Sequence, residues 1–197
     1  MGKLKYYVIH CAETYPETIV TKEVLDEWHK GPRNNPDGTV TYLGKVYPNR
    51  FQLPRDILNG KPILNIQGRG WDRYGYSDIF HREGFVENIT PYDEDEIITN
   101  TEMTWGQTGI NSESRHVVLE GGLLHNKKVP FNGAEVLLYS SMQLDALTRD
   151  IMIVTTHHPG ILIAGHYQFN KDKTCPNFNV PMFLKNINRA QFAYKPK

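Results

Sequence analysis

Three residues far apart in the chain have the types and setting to hold a metal ion. His10 lies in Ile9-His10-Cys11-Ala12 near the start, and His166 and Cys175 lie in the segment from Gly165 to Pro176. Two imidazoles and a thiolate suit zinc, which hydrolases typically hold with three protein ligands and a water in the fourth position. The metal lowers the pKa of that water, so a nucleophile is available near neutral pH. The residues alone leave a second reading open. In that reading His10 is a strand-end imidazole with its hydrogen bonds met, Cys11 a small core residue, and Cys175 an inert thiol in an exposed loop. The eight residues between His166 and Cys175 are only moderately specific for a shared ion.

The elements that must position these groups can be read from pattern. Lys5 to His10 is aromatic and β-branched and reads as a strand. Side chains alternate along a strand, so only one of His10 and Cys11 can face a site. Ile161 to Ala164 is a short apolar run, hence a central strand, and it delivers Gly165 and His166 at its C-terminal end. The loop after it can fold back to bring Cys175 to the same ion, with Pro176 stiffening the return. Thr21 reads as the N-cap of a helix through Val24, Leu25 and Trp28 to about His29. Breakers crowd residues 31–69: Pro32, Pro36, Asp37-Gly38, Pro48, Pro54, Gly60 and Pro62. That stretch reads as an insertion, with a hairpin at Asp37-Gly38. Two strands joined by a tight turn are expected over residues 75–88, and loop with a little helix over 90–103. A strand from Arg115 to Glu120 ends at Gly121-Gly122, and 123–138 reads as irregular. Ser140 to Gln143 resembles a capping box opening a long helix that stops before Pro159. The expected fold is α/β: one domain over residues 1–197, a mixed central sheet flanked by helices, with the insertion at about 31–69.

Bulk composition narrows the task. Lys+Arg and Asp+Glu are both 22, so the net charge is zero and polyanion binding is not expected as the main role. No nucleic acid partner is therefore expected. Two cysteines in 197 residues make a disulfide scaffold improbable. The first residues carry positive charge but no apolar run of signal-peptide length, and no stretch approaches the roughly 20 apolar residues of a membrane span. The expectation is a soluble monomer made in the cytoplasm.

Other residues compete for roles. Lys173, two before Cys175, could stabilise an oxyanion, against the commoner reading of a solvated lysine. Tyr76, at the glycine-punctuated entry to a strand, could hydrogen-bond a nucleophilic water, against a packing aromatic. His157-His158 ends a helix, where an imidazolium suits the helix dipole. His29 reads the same way, and His81, His116 and His125 have no partner at ligand spacing. Gly-x-Ser-x-Gly, Walker-type and Gly-x-Gly-x-x-Gly loops are absent.

Taken in order, the motifs resemble the zinc-dependent N-acetylmuramoyl-L-alanine amidases of the type 2 family, whose fold peptidoglycan-recognition proteins share. The matching residues are His10-Cys11-Ala12, Leu25 to His29, Gly70-Trp71, Gly75-Tyr76, Arg82-Glu83-Gly84, Val117 to Gly122, Ser140 to Gln143, Gly165-His166 and Lys173-Thr174-Cys175-Pro176. The resemblance implies that His10, His166 and Cys175 bind zinc and that Tyr76 and Lys173 assist catalysis. Trp105 and Asn111 are expected to contact substrate along a groove, with loop packing as the alternative. Three departures stand out: a His-to-Cys loop one residue longer than the family norm, the 31–69 insertion, and Ser77 where His is frequent. The implied activity is hydrolysis of the amide between N-acetylmuramic acid and L-alanine, in a phage endolysin that reaches the wall after the host membrane is permeabilised. The alternatives are a peptidoglycan-binding module without catalysis, or an amidase acting on soluble muropeptides in wall recycling.

Overall fold

The computed structural model describes residues 1–54, 63, 66–125 and 130–196. In chain order the elements are β1 (Gly2–Lys3), β2 (Tyr6–Cys11), α1 (Lys22–Lys30), β3 (Arg33–Asn34), β4 (Val40–Tyr42), β5 (Lys45–Tyr47), β6 (Asp78–Phe80), β7 (Val86–Asn88), β8 (Ile97–Ile98), β9 (Ser114–Leu119), α2 (Glu135–Leu138), α3 (Ser141–His157), β10 (Leu162–Gly165) and α4 (Val180–Asn186). They fall into two compact units: Met1–Val20 with Tyr76–Lys197, and Thr21–Gly75.

The first unit is built on a five-stranded sheet of order β10-β2-β9-β6-β7. Its first four strands run parallel, and β7 returns antiparallel to β6. The turn between them closes with the His81 N–H on Phe85 O at 2.9 Å and the Gly84 N–H on His81 O at 3.0 Å. β2 is the second strand of the sheet, and Tyr7, Val8 and Ile9 are fully buried, as are Val117, Val118 and Leu119 of β9. A strand buried on both faces must be apolar without alternation, which is what these runs are. Each such side chain contributes about 1.5–3 kcal/mol on burial. The α/β class with a mixed sheet flanked by helices is as the sequence indicates.

Helix α3 packs through Leu144, Leu147, Ile151 and Val154, all buried at helical spacing. Ser140 caps it by accepting the Gln143 N–H at 3.1 Å. The expected capping box is only half made. The buried Gln143 carboxamide donates instead to Phe80 O at 2.6 Å and Glu120 O at 3.0 Å, tying the ends of β6 and β9 to the helix. Arg115 of β9 adds a polar tie: it bonds Asp78 of β6 at 2.8 Å and Asp150 of α3 at 3.4 Å. Tyr7 completes it by donating to Asp150 at 2.5 Å.

Two stretches differ from expectation, and a third element lies beyond the stretches read from pattern. Residues 90–103 contain strand β8, paired with β1, in place of a little helix. Residues 123–138 include the short helix α2, while 126–129 lie outside the described residues. The tail after the returning loop forms α4, capped by Asn179, which accepts the Met182 N–H at 3.0 Å.

The second unit, Thr21–Gly75, holds α1 and the three-stranded sheet β3-β4-β5. Thr21 caps α1 through the Val24 N–H at 3.4 Å. The turn at Asp37-Gly38 joins β3 to β4, and a second turn at Leu43-Gly44 joins β4 to β5. The N–H groups of Gly68, Arg69, Gly70 and Trp71 donate to carbonyls of Pro32, Trp28, Gly31 and His29 at 2.8–2.9 Å, stitching this segment to the end of the helix. The breakers Gly60 and Pro62 lie outside the described residues. Among the described residues no helix is long and apolar enough to cross a membrane.

Candidate metal centre

Parallel pairing places two of the candidate ligands side by side. β10 pairs with β2 in register Gly165 to Ile9, so the chain ends of both strands lie together. His10 follows Ile9, and His166 follows Gly165. Their rings lie 4.5 Å apart, tilted by 53°. The chain then turns back, with Asn170 N–H on His166 O and Lys173 N–H on Asn170 O, both at 3.1 Å. Tyr167 N–H donates to Cys175 O at 3.0 Å and closes the loop. Gly165 permits this close return: a Cβ there would sit 2.5 Å from the Tyr167 ring and 2.9 Å from Pro176. One donor atom from each of His10, His166 and Cys175 then lies within 4.8 Å of the others.

The sulfur also joins the sheet. Cys11 N–H donates to Cys175 Sγ at 3.0 Å, one rung beyond the last β10 partner of β2. Burial pushes the Cys175 thiol well above its ordinary pKa, and contact with the Cys11 thiol adds to this. Cys11 itself is buried, its Sγ 3.7 Å from Asn177 Nδ2.

Each histidine has a defined partner on one ring nitrogen. His166 Nε2 lies 2.8 Å from Gln107 Oε1. The Gln107 amide cannot be reversed without loss, because its Nε2 donates to Thr108 O at 3.0 Å. With Gln107 Oε1 as acceptor, the His166 Nε2 proton points to that loop, and Nδ1 is the nitrogen that would face an ion. Gln107 is itself placed by Asn111, whose Oδ1 accepts the Gln107 N–H at 2.7 Å. His10 Nε2 lies 3.0 Å from His116 Nδ1, so Nδ1 is again the ring nitrogen that would face an ion. His116 is fully buried, and its pKa is lowered to about 3 by burial and then by His166, so it is neutral.

The donor set fits zinc. Two nitrogens at the C-terminal ends of parallel strands and one sulfur on the returning loop are close enough to share one ion, a donor set of the kind that zinc takes with three protein ligands. Tyr76 lies just before β6, its ring 5.1 Å from that of His10 and tilted by 51°. Lys173 is exposed on the returning loop. Trp105 is half-buried on the loop that carries Gln107, and Asn111 orders that loop. Sequence reasoning missed Gln107 entirely and set His116 aside. Pairing of β2 with β9 brings His116 to His10, and that register has no local signal in the sequence. His158, read as an imidazolium at a helix end, has its pKa lowered, chiefly by burial.

A scan of protein-family models gives no match, and neither does a search of curated proteins. Solved structures do match. The endolysin and N-acetylmuramoyl-L-alanine amidase LysCS from Clostridium intestinale aligns at a TM-score of 0.55 and 14% identity, over 94% of this chain and 84% of that one. Bumblebee PGRP-SA aligns at 0.57 and 14%, over 100% and 87%. A variant of Drosophila PGRP-LB in complex with tracheal cytotoxin aligns at 0.53 and 16%, over 99% and 88%. At such identities the likeness is one of architecture, and it is consistent across all three: this chain has the fold shared by N-acetylmuramoyl-L-alanine amidases and peptidoglycan recognition proteins.

Proposed function

We propose that the protein is a zinc-dependent amidase that cuts the bond between the lactyl group of N-acetylmuramic acid and L-alanine in peptidoglycan, as an endolysin does. The observation that carries this reading is the convergence of His10, His166 and Cys175 within 4.8 Å on a fold shared with such amidases. These three residues would hold the ion. Bound there, zinc would supply Lewis acidity toward the amide carbonyl and lower the pKa of a water. Tyr76, beside His10, orients that water through its phenol oxygen or holds a proton there. Lys173 offers its ammonium to the carbonyl oxygen as negative charge develops. Trp105 contacts substrate along the groove, and Asn111 supports the same loop.

A second reading, binding of peptidoglycan without cleavage, is favoured by the recognition proteins among the structural neighbours. Digestion of purified sacculi separates the two. Cleavage of the lactyl amide releases free alanine amino termini and creates no new reducing sugar ends. Glycosidases typically need a carboxylate pair flanking the sugar bond, which the metal motif lacks. New reducing ends without alanine termini would overturn the amidase reading, and retention on sacculi with no product would favour the binding module. Activity confined to soluble muropeptides would mean a recycling enzyme. Lys173→Ala and Tyr76→Phe should keep zinc and lose about a hundredfold or more in rate. Near wild-type rates in both would remove these two residues from the mechanism.

A further inference from the structure

The two histidine ligands are held in different ways. His166 faces a side-chain amide on a loop, and that amide can only accept at Oε1. His10 faces a second imidazole, which can donate or accept, and which sits on the adjacent strand of the sheet. A hydrogen bond between His10 Nε2 and His116 Nδ1, 3.0 Å apart, needs one proton, which either ring can supply. When a metal occupies His10 Nδ1, the proton of that ring is on Nε2. His116 Nδ1 must then accept it, and the proton of His116 moves to its own Nε2. That atom is buried and has no hydrogen-bond partner among the described residues.

The His116 ring has little freedom to do anything else. It is fully buried. The His116 carbonyl is gripped twice by Ser77, through its N–H at 2.7 Å and its Oγ at 2.8 Å. A group fixed on a paired strand holds a ligand more rigidly than a group on a loop.

We propose that His116 is a positioning residue of the metal centre: in the zinc-loaded protein its Nδ1 accepts the His10 Nε2–H and so presents His10 Nδ1 to the ion. The inference rests on the zinc reading above. Partners of this kind set the tautomer and ring orientation of a ligand, and their loss typically costs about 10–100-fold in metal affinity.

The test uses the whole protein with zinc added and reads ring nitrogen shifts and zinc affinity. In zinc-loaded wild type, nitrogen-15 spectra of the histidine rings should show His10 protonated at Nε2, and His116 protonated at Nε2 and bare at Nδ1. His116→Val removes the acceptor and should weaken zinc binding about 10–100-fold in a chelator competition. His116→Asn restores an acceptor at the position of Nδ1 and should bind zinc within a few-fold of wild type, because the His10 Nε2–H again has an oxygen to bond. A zinc-loaded protein with His116 protonated at Nδ1, or Val and Asn variants of equal affinity, would overturn the inference and leave the amidase reading standing. A wild type that binds no zinc would overturn both. Should the Val variant fail to fold, the wild-type spectra decide alone.

Discussion

The sheet of the first unit and the small sheet of the second are stabilised by different forces. In β2 and β9 nearly every side chain is buried, and the sheet is a core in itself. In β3, β4 and β5 only Val40 is fully buried, while Val46 is 66% exposed and nearby Phe51 is 90% exposed. The second unit relies more on backbone, through helix caps, two hairpin turns and the stitching of 68–71 to α1, with a few buried side chains such as Leu25 and His29 beside them. Side-chain burial is non-directional and tolerates small shifts. Backbone stitching depends on close approach and on a few polar groups hidden from water.

The largest test of this contrast is a matched pair. Phe80→Ala empties a fully buried position in β6 and should cost about 3–5 kcal/mol. Phe51→Ala removes the same atoms from an exposed position and should change stability by under about 0.5 kcal/mol. Denaturant melts of both variants decide, and equal losses would erase the distinction.

Acid should act on the second unit through His29. Burial, and then the charge of Arg69, lowers its pKa to about 4 from 6.5, and its Nδ1 accepts the Gly75 N–H at 3.2 Å. The unfolded chain binds this proton more readily, so the stability is complete above pH 6.5 and is lost as pH falls toward 4. The full loss is roughly 3 kcal/mol at 1.36 kcal/mol per pKa unit. The protection factor of the Trp71 amide, which bonds His29 O, should fall across that window in wild type once exchange is divided by the free-chain rate at each pH, and fall less in His29→Gln. A flat profile in wild type would mean that burial does not hold this imidazole neutral.

The smallest of the three concerns close approach. A Cβ on Gly68 would lie 2.1 Å from Gly31 O, so Gly68→Ala must push the stitched segment off the helix end. The expected cost is about 1–3 kcal/mol. It should appear as faster exchange at the Arg69 and Gly70 amides, with β2 and β9 unaffected. Protection lost equally in both units would show that the two do not open separately.

The contrast also explains what could be read in advance. Apolar runs such as Val117 to Leu119 and Ile161 to Ala164 announce buried strands, and the spacing of Leu144, Leu147 and Ile151 announces α3. His10 and His166 stood out as candidate ligands because each closes such a run, and Cys175 because it follows His166 after a short loop. Long-range register was not. Nothing local to His116 says that β9 lies beside β2, so its meeting with His10 could not be anticipated. Gln107 was hidden for a similar reason, since its loop reaches His166 from 59 residues away. Gln143 was read as a capping residue because the motif is local, whereas its side chain serves two strand carbonyls. The cap and proline of α4, Asn179 and Pro181, were visible in the sequence and are sufficient to mark a helix start.

The bond from Cys11 N–H to Cys175 Sγ makes one amide a reporter of a loop 164 residues away. Its neighbour, Ala12 N–H, is held by Leu119 O at 2.9 Å and depends only on the sheet. Two consecutive amides thus keep separate time. Exchange at Ala12 follows opening of β2 from β9, and exchange at Cys11 follows departure of the sulfur-bearing loop. The ratio of the two rates measures how often Cys175 leaves the centre while the strands stay paired.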